Sequence, residues 1–388
     1  AGRLVARMSP SPLQAGDVVG PVTIGPVAHG GHCVARVDGR VVFVRHAAPG
    51  EHVTVRITQV LTRFARGEVA EVLQASPDRR TPPCPIAGEC GGCDFQHLVP
   101  EASRELKRQV VADLLLHHAG IEFTGQVEAV DADGLGWRTR MRYHVAPDGR
   151  LGLYAHRSEQ VVPLPVEGCR IARPAIARPA PPGTGQDEVL AVAANSGSYI
   201  GAPDTLPPTV TERVNGRRFE VATEGFWQSH ARAPQVLTAA VMEALAPTEG
   251  ERAFDLYCGV GLFAAALVDA GCQVWGIEGD PRASRLARRN VPQARIFRGD
   301  VAPTLRRLPD RTDLVVLDPP RAGAGRRAME AITARRPRAI AYVACDPAAL
   351  ARDLATAQTL GYVVEQVRAF DLFGTTHHVE CVALLRAV

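Results

Sequence analysis

The chain has 388 residues, 46% of them hydrophobic and 22% charged, with a formal net charge of +3. That length exceeds what one hydrophobic core serves, so two or three domains are expected. No apolar stretch reaches membrane-spanning length, and nine scattered cysteines do not make a disulfide framework, which leaves metal binding or catalysis as their fitting roles. The residues from Ala1 to Met8 lack the apolar core of a secretory signal, so a cytoplasmic protein is expected.

From Gly16 to Gln74, short β-rich runs alternate with glycine turns: Val18–Ile24, Cys33–Val37, Arg40–Val44, His52–Thr58 and Gly67–Leu73. Five strands this short and close describe a small β-barrel of the oligonucleotide-binding type. Up to Ala75 there are eight Arg against five Asp plus Glu, a basic bias that suits RNA contact but also fits a genome-wide preference for arginine. Lys107 is the only lysine.

Next come Cys84-x5-Cys90-Gly-Gly-Cys93 and, well downstream, Cys169. Four thiolates suit an iron–sulfur cluster or zinc, and the five-residue gap lies outside the usual finger spacing, which favours the cluster. A helix over Glu101–His118 follows. Trp137–Ala146, a turn at Pro147-Asp-Gly149 and Leu151–Tyr154 read as a hairpin with Arg138, Arg140 and Arg142 on one face, either a phosphate-binding ladder or a solvated sheet face. Arg173–Gln186 is Pro-rich and reads as a loop.

From Pro247 onward, apolar runs at Ala253–Leu256, Gln273–Ile277, Ala294–Phe297, Leu314–Leu317, Ala339–Ala344, Tyr362–Val367 and Cys381–Leu385 alternate with helix-like segments, the pattern of a doubly wound sheet. Gly259-Val-Gly261 follows the first run as a cofactor loop, with Glu278 placed to accept from a ribose diol and Asp300 spaced for an adenine edge. Nicotinamide cofactors and S-adenosylmethionine both satisfy this arrangement, so an NAD-dependent iron–sulfur oxidoreductase and a methyltransferase stay open here. Cys345 emerges where a buried strand meets a helix, a position for a nucleophile. Cys33, Cys258, Cys272 and Cys381 sit in or beside apolar runs and read as ordinary buried thiols.

Taken in order, the cysteine set with Gln96-His97, Phe226-Trp-Gln228, Asp255-Leu-Tyr-Cys-Gly-Val-Gly261, Asp318-Pro-Pro-Arg-Ala-Gly323, Tyr342-Val-Ala-Cys345-Asp-Pro347 and Asp371-Leu-Phe-Gly-Thr-Thr-His-His378-Val-Glu380 resembles the RNA 5-methyluridine (uracil-C5) methyltransferases. The barrel before it resembles their TRAM domain. The match runs from about Gly16 to the C-terminus. It implies a multi-domain α/β chain: a TRAM-like barrel at 1–76 that binds RNA, a central α+β domain with iron–sulfur cysteines at 77–235, and a Rossmann-like class I methyltransferase domain at 236–388. Members with both barrel and cysteines are mainly those that modify 23S rRNA, which implies that substrate, with tRNA as the alternative; a monomer is expected.

The resemblance also implies a chemistry. Carbon 5 of uracil is too weak a nucleophile to take a methyl group from S-adenosylmethionine unaided, and addition of the Cys345 thiolate to carbon 6 supplies the missing reactivity. Glu380 is the implied base that removes the carbon 5 proton. Gln228 and Asp318 match positions that hold cofactor and uracil, Tyr257 and Glu278 line the adenosine side, and Cys84, Cys90, Cys93 and Cys169 ligate a [4Fe-4S] cluster. Phe226 or Trp227 is placed to stack on a base swung out of its helix. The chain departs from the family at His230 and Asp346, where asparagine is usual, at Leu262, where a polar residue is usual, and at Gly374, where proline is usual.

Overall fold

A computed structural model describes residues 13–181 and 185–388. The stretch read for a secretory signal and part of the Pro-rich loop lie outside the described residues. Contacts divide the chain into one unit of Ala1–Thr81 with His97–Val99 and a second of Pro82–Gln96 with Pro100–Val388.

In the first unit β1 (Val18–Thr23), β2 (Cys33–Val37), β3 (Arg40–Arg45), β4 (His52–Val60) and β5 (Phe64–Gln74) form one sheet in the order β1-β4-β5-β3-β2. Alternation along β4 turns Val53, Val55 and Ile57 inward and leaves His52, Arg56 and Thr58 exposed. Asp38 and Gly39 connect the paired ends Val37 and Arg40 with φ of 48° and 81°, the left-handed pair that a two-residue hairpin turn of this hand requires. Of the arginines up to Ala75, Arg45 is buried 3.6 Å from Glu68, and just beyond them Arg79 donates to the fully buried Glu51.

The second unit begins with α1 (Pro100–Ala119) and β6 (Val127–Ala129). The hairpin β7 (Arg140–Val145) and β8 (Leu151–Tyr154) continues into β9 (Val161–Pro163), β10 (Glu188–Ala194) and β11 (Gly197–Gly201), an antiparallel sheet ordered β11-β10-β7-β8-β9. A two-stranded pair, β12 (Thr209–Val214) and β13 (Arg217–Ala222), precedes α2 (Ala233–Leu245). Then come β14 (Arg252–Leu256), α3 (Leu262–Asp269), β15 (Gln273–Glu278), α4 (Pro281–Asn290), β16 (Arg295–Arg298), α5 (Val301–Thr304), β17 (Leu314–Leu317), α6 (Arg326–Thr333), β18 (Ala339–Ala344), α7 (Pro347–Thr359), β19 (Tyr362–Asp371) and β20 (Glu380–Ala387).

These strands build an eight-stranded sheet ordered β16-β15-β14-β17-β18-β20-β19-β6. β14 to β18 run parallel, β20 lies antiparallel between β18 and β19, and β6 closes the edge parallel to β19. Because helices cover both faces, the central strands are buried on both sides. Ala253, Leu314, Val316 and Ala341 pack with Leu237 of α2 and Phe263 of α3. Their neighbours Phe254, Val315, Leu317 and Ile340 pack with Leu115 of α1, Met329 of α6 and Leu354 of α7. Strand order reverses between β14 and β17, and a crevice at such a reversal, beyond the carboxyl ends of the strands, is where open α/β sheets bind ligands.

Candidate active site

Cys345 is the first residue past β18, and Asp346 then starts α7 by accepting from the Ala349 N–H at 2.7 Å, with Pro347 in the first turn. The cap stops the strand and leaves the thiol partly exposed. Ala344 pairs with Cys381 at the end of the β18–β20 ladder, and the next residues on the two sides, Cys345 and Glu380, interact electrostatically. Asp318, just past β17, completes the group and accepts from Gln228 Nε2 at 3.2 Å.

The electrostatics follow from burial and like charge. Burial, then Glu380 and Asp318, push the Cys345 thiol up to about 11, while Arg321 pulls the other way. Burial and Asp318 hold Glu380 well above the carboxylate range, again opposed by Arg321. Burial pushes Asp318 up to about 7, with the Gln228 hydrogen bond acting against it. Two carboxyls sharing this site cannot both ionise freely. Arg321 is the neighbouring cation: it lines a pocket with Cys345, and its Nη2 lies 3.5 Å from His378 Nε2. Burial, His377 and Arg321 lower His378 to about 3, so its ring is neutral and accepts from the guanidinium.

The glycine loop lies past β14. Tyr257, Gly259 and Gly261 have φ of 61°, 54° and 94°, and Gly261 leads into α3. A Cβ on Gly261 would stand 2.9 Å from Val291 Cγ2, so glycine is required there by both dihedral and packing. Glu278, ending β15, accepts from the Gly259 N–H at 2.8 Å with one oxygen and from the Asp280 N–H at 2.7 Å with the other. It thereby ties the loop to the entry of α4. Asp300 stands at the start of α5 without capping it through its side chain.

The four upstream cysteines line one small cavity, walled by Ile86, Leu153, Leu164 and Ile171. Gly92 N–H points to Cys90 Sγ at 3.4 Å and Thr375 Oγ1 to Cys93 Sγ at 3.4 Å. Gly91 is pressed on the end of β8, where a Cβ would meet Tyr154 O at 2.9 Å. Burial, with the neighbouring thiols Cys169 and Cys90 adding to it, pushes Cys93 up to about 12, and Cys84 and Cys169 are also raised by burial. Among the described residues no three His, Cys, Asp or Glu side chains converge closely enough to hold one metal ion.

Residues 16–70 match the TRAM domain and residues 308–388 match the tRNA (uracil-5-)-methyltransferase family. A Streptomyces avermitilis protein described as an uncharacterized RNA methyltransferase is 43% identical, covering 94% of this chain and 97% of that protein. A 23S rRNA (uracil(1939)-C(5))-methyltransferase of Shewanella amazonensis is 30% identical, covering 93% of this chain and 94% of that protein. The chain belongs to the RNA uracil-C5 methyltransferases. Among solved structures, the Pyrococcus abyssi tRNA (uracil-54, C5)-methyltransferase in complex with S-adenosyl-L-homocysteine superposes with a TM-score of 0.71 at 22% identity, covering 94% of this chain and 99% of that one, which shows the shared fold.

Family membership decides between the two cofactors the glycine loop left open: S-adenosylmethionine is the methyl donor, and RNA the acceptor. The structure narrows two alternatives that the sequence left open. Trp227 is buried against Phe219 at 5.8 Å between ring centroids, whereas Phe226 is 72% exposed, so only Phe226 is available to stack on a base. The arginine ladder is not a free phosphate track. Arg138 Nε donates to Arg140 O, Arg140 lies 3.5 Å from the buried Glu212, and Arg142 pairs with Glu188. Cys33, Cys258, Cys272 and Cys381 are buried as expected.

The departures from the family find local causes. His230 donates through Nε2 to Asp131 at 2.7 Å, accepts the Arg232 N–H at Nδ1 and stacks on Trp137. Gly374 abuts Gly134, whose Cα would lie 2.4 Å from any Cβ, so proline has no room there. Leu262 opens α3 inside the core. Asp346 caps α7 as asparagine would.

Three residues went unassigned in the sequence. Arg321 was visible only as part of a motif. Asp255 is fully buried, accepts from the Ala264 N–H at 2.7 Å, and keeps Oδ1 without a hydrogen-bond partner among the described residues. Its signal was a carboxylate inside an apolar strand. Asp94 gave no signal beyond standing next to Cys93.

Proposed function

We propose that this chain methylates carbon 5 of a uridine in 23S rRNA through a covalent bond between Cys345 and the base, acting in the cytoplasm as a monomer. The observation that supports this reading is that Cys345, Glu380 and Asp318 act on one another electrostatically, with Gln228 hydrogen-bonded to Asp318. The choice of 23S rRNA rests on the end-to-end similarity to the Shewanella amazonensis enzyme and on the four cysteines.

In this reading the TRAM-like sheet contacts RNA, and Phe226 supports the target base in the pocket. Gly259 and Gly261 admit the cofactor's backbone contacts, with Tyr257, Glu278 and Asp300 on its adenosine side. Gln228 and Asp318 orient the uracil. S-adenosylmethionine supplies a methyl group on a sulfonium. The Cys345 thiolate bonds to carbon 6, carbon 5 becomes electron-rich and takes the methyl as the S–CH3 bond breaks and the donor leaves as a neutral thioether, Glu380 removes the carbon 5 proton, and the returning electron pair expels the cysteine as thiolate. Arg321 offsets negative charge on the sulfur as it forms. The burial that raises Glu380 also makes its carboxylate a stronger base toward a carbon acid.

Cys84, Cys90, Cys93 and Cys169 are read as ligands of a [4Fe-4S] cluster. Four sulfurs around one apolar cavity fit a polynuclear centre, whose thiolates stand wider apart than those of a single ion. When bound it would brace the loops that carry these cysteines.

RNA transcripts containing 5-fluorouridine test the route, because the fluorine cannot leave as a proton does. With S-adenosylmethionine they are expected to remain attached to Cys345 under denaturing electrophoresis, and 23S fragments to be trapped in preference to tRNA. Absence of any trapped species overturns the covalent route, and preference for tRNA overturns the assignment of substrate.

A further inference from the structure

Glu380 begins β20, and the chain reaches it through eight residues, Leu372–Val379, that leave the end of β19. Its hydrogen bonds run to α1, to Trp137 and to the segment that follows Cys93. Lys107 Nζ donates to Asp371 Oδ1 at 2.6 Å and to Phe373 O at 3.1 Å. Trp137 Nε1 donates to Gly374 O at 3.2 Å. Asp94 and Phe95 both donate their N–H groups to Thr375 O, at 2.9 and 2.8 Å. Asp94 Oδ2 then receives the His377 N–H at 3.1 Å and His377 Nδ1 at 2.6 Å.

We propose that Asp94 is a positioning residue for the uracil-C5 methyltransferase reaction: through His377 it fixes the loop that aims Glu380 and His378, and so links the cysteine segment to the proton-removal step. Asp94 adjoins Cys93, whose sulfur receives Thr375 Oγ1 from the same loop. Whatever fixes Cys93 therefore fixes the loop on both sides of Thr375. Thr375 has φ of 65°, a left-handed conformation costly for a β-branched residue and held here by the two N–H donors. His378, next to His377 in the same loop, lies 3.5 Å from Arg321.

The effect is specific to one step. Cys345 is carried by β18 and α7, so addition to carbon 6 and methyl capture do not depend on the loop for their geometry. Removal of the carbon 5 proton does, because Glu380 sits at the loop's end. A misaimed Glu380 leaves the methylated base attached to sulfur, with the proton still on carbon 5 and the S–C6 bond unbroken.

The inference rests on the covalent route above, and the test separates the two. Asp94→Ala, His377→Ala and the double variant are compared with the unaltered enzyme on ordinary RNA and on 5-fluorouridine RNA. Each single variant is expected to lower turnover on ordinary RNA by at least about tenfold, as small misplacements of catalytic groups do. The double variant should lose no more than the worse single one, the mark of a shared interaction. Covalent adduct should then accumulate on ordinary RNA, while 5-fluorouridine RNA is captured at the unaltered rate. His377→Ala leaves the cysteine segment untouched, so the test stands if Asp94→Ala does not fold. Unchanged turnover, multiplying effects, or a parallel fall in 5-fluorouridine capture overturns the proposal. An unaltered enzyme that captures no RNA overturns the covalent route instead.

Discussion

Two regions of the protein hold reactive sulfur in opposite surroundings. At the end of β18 one cysteine stands alone and partly exposed, facing two carboxyls and a guanidinium. In the upstream cavity four cysteines stand together, each buried, among aliphatic walls and one another. Thiols in both places lie above their ordinary acidity range, so acidity alone does not tell nucleophile from ligand. The neighbours do. Cys345 is surrounded by groups that move protons and offset charge, whereas Cys84, Cys90, Cys93 and Cys169 are surrounded by groups that exclude water and hold shape.

The largest effect that would break this contrast is on turnover. Cys345→Ala is expected to abolish methyl transfer, by more than about a thousandfold, because no other sulfur is placed to bond the base. Measured incorporation of labelled methyl into RNA close to the unaltered rate would remove Cys345 from its role. A smaller effect sharpens the electrostatics. Alkylation of Cys345 by iodoacetamide, followed by peptide mass spectrometry, should rise about tenfold per pH unit until near 11, since the thiolate is the reacting form. Arg321 lowers the thiol's pKa, so Arg321→Gln should move that profile to higher pH, and Glu380→Gln, which removes a raising charge, should move it lower. Shifts in the reverse directions would mean that these side chains do not face the sulfur.

The smallest effect concerns the cap that ends the strand. Asp346→Ala is expected to cost about 1 kcal/mol, the usual value of a lost N-cap, read from the midpoint of urea unfolding. Asp346→Asn should cost little, because asparagine caps equally well. If the asparagine variant loses as much as the alanine one, the carboxylate has a task beyond capping.

The parts written locally in the sequence were readable there. Apolar runs at Leu314–Leu317 and Ala339–Ala344 became β17 and β18 within the expected bounds, because a strand buried on both faces needs little besides a short apolar run. Gly259 and Gly261 announced a left-handed loop for the same local reason. Contacts between distant residues were not readable. Lys107 meets Asp371 across 264 positions and Asp94 meets His377 across 283, and no period or composition marks either pair. Alternation put Arg138, Arg140 and Arg142 on one face but could not choose between phosphate and solvent, because it does not report whether a carboxylate such as Glu188 or Glu212 waits there. Trp227 and Phe226 differ by one position and take opposite environments, which only packing decides.

The edge strand β6 carries a last consequence. Val127–Ala129 is synthesised long before its partner Ala369–Asp371, so the outermost rung of the sheet forms only after about 240 further residues have been made. Assembly is thus governed by strands far apart in sequence that meet late, a topology associated with slow folding. A fragment starting after residue 235 would leave β19 with a bare backbone edge and strip Val111 and Leu115 from its flank, inviting self-association between fragments.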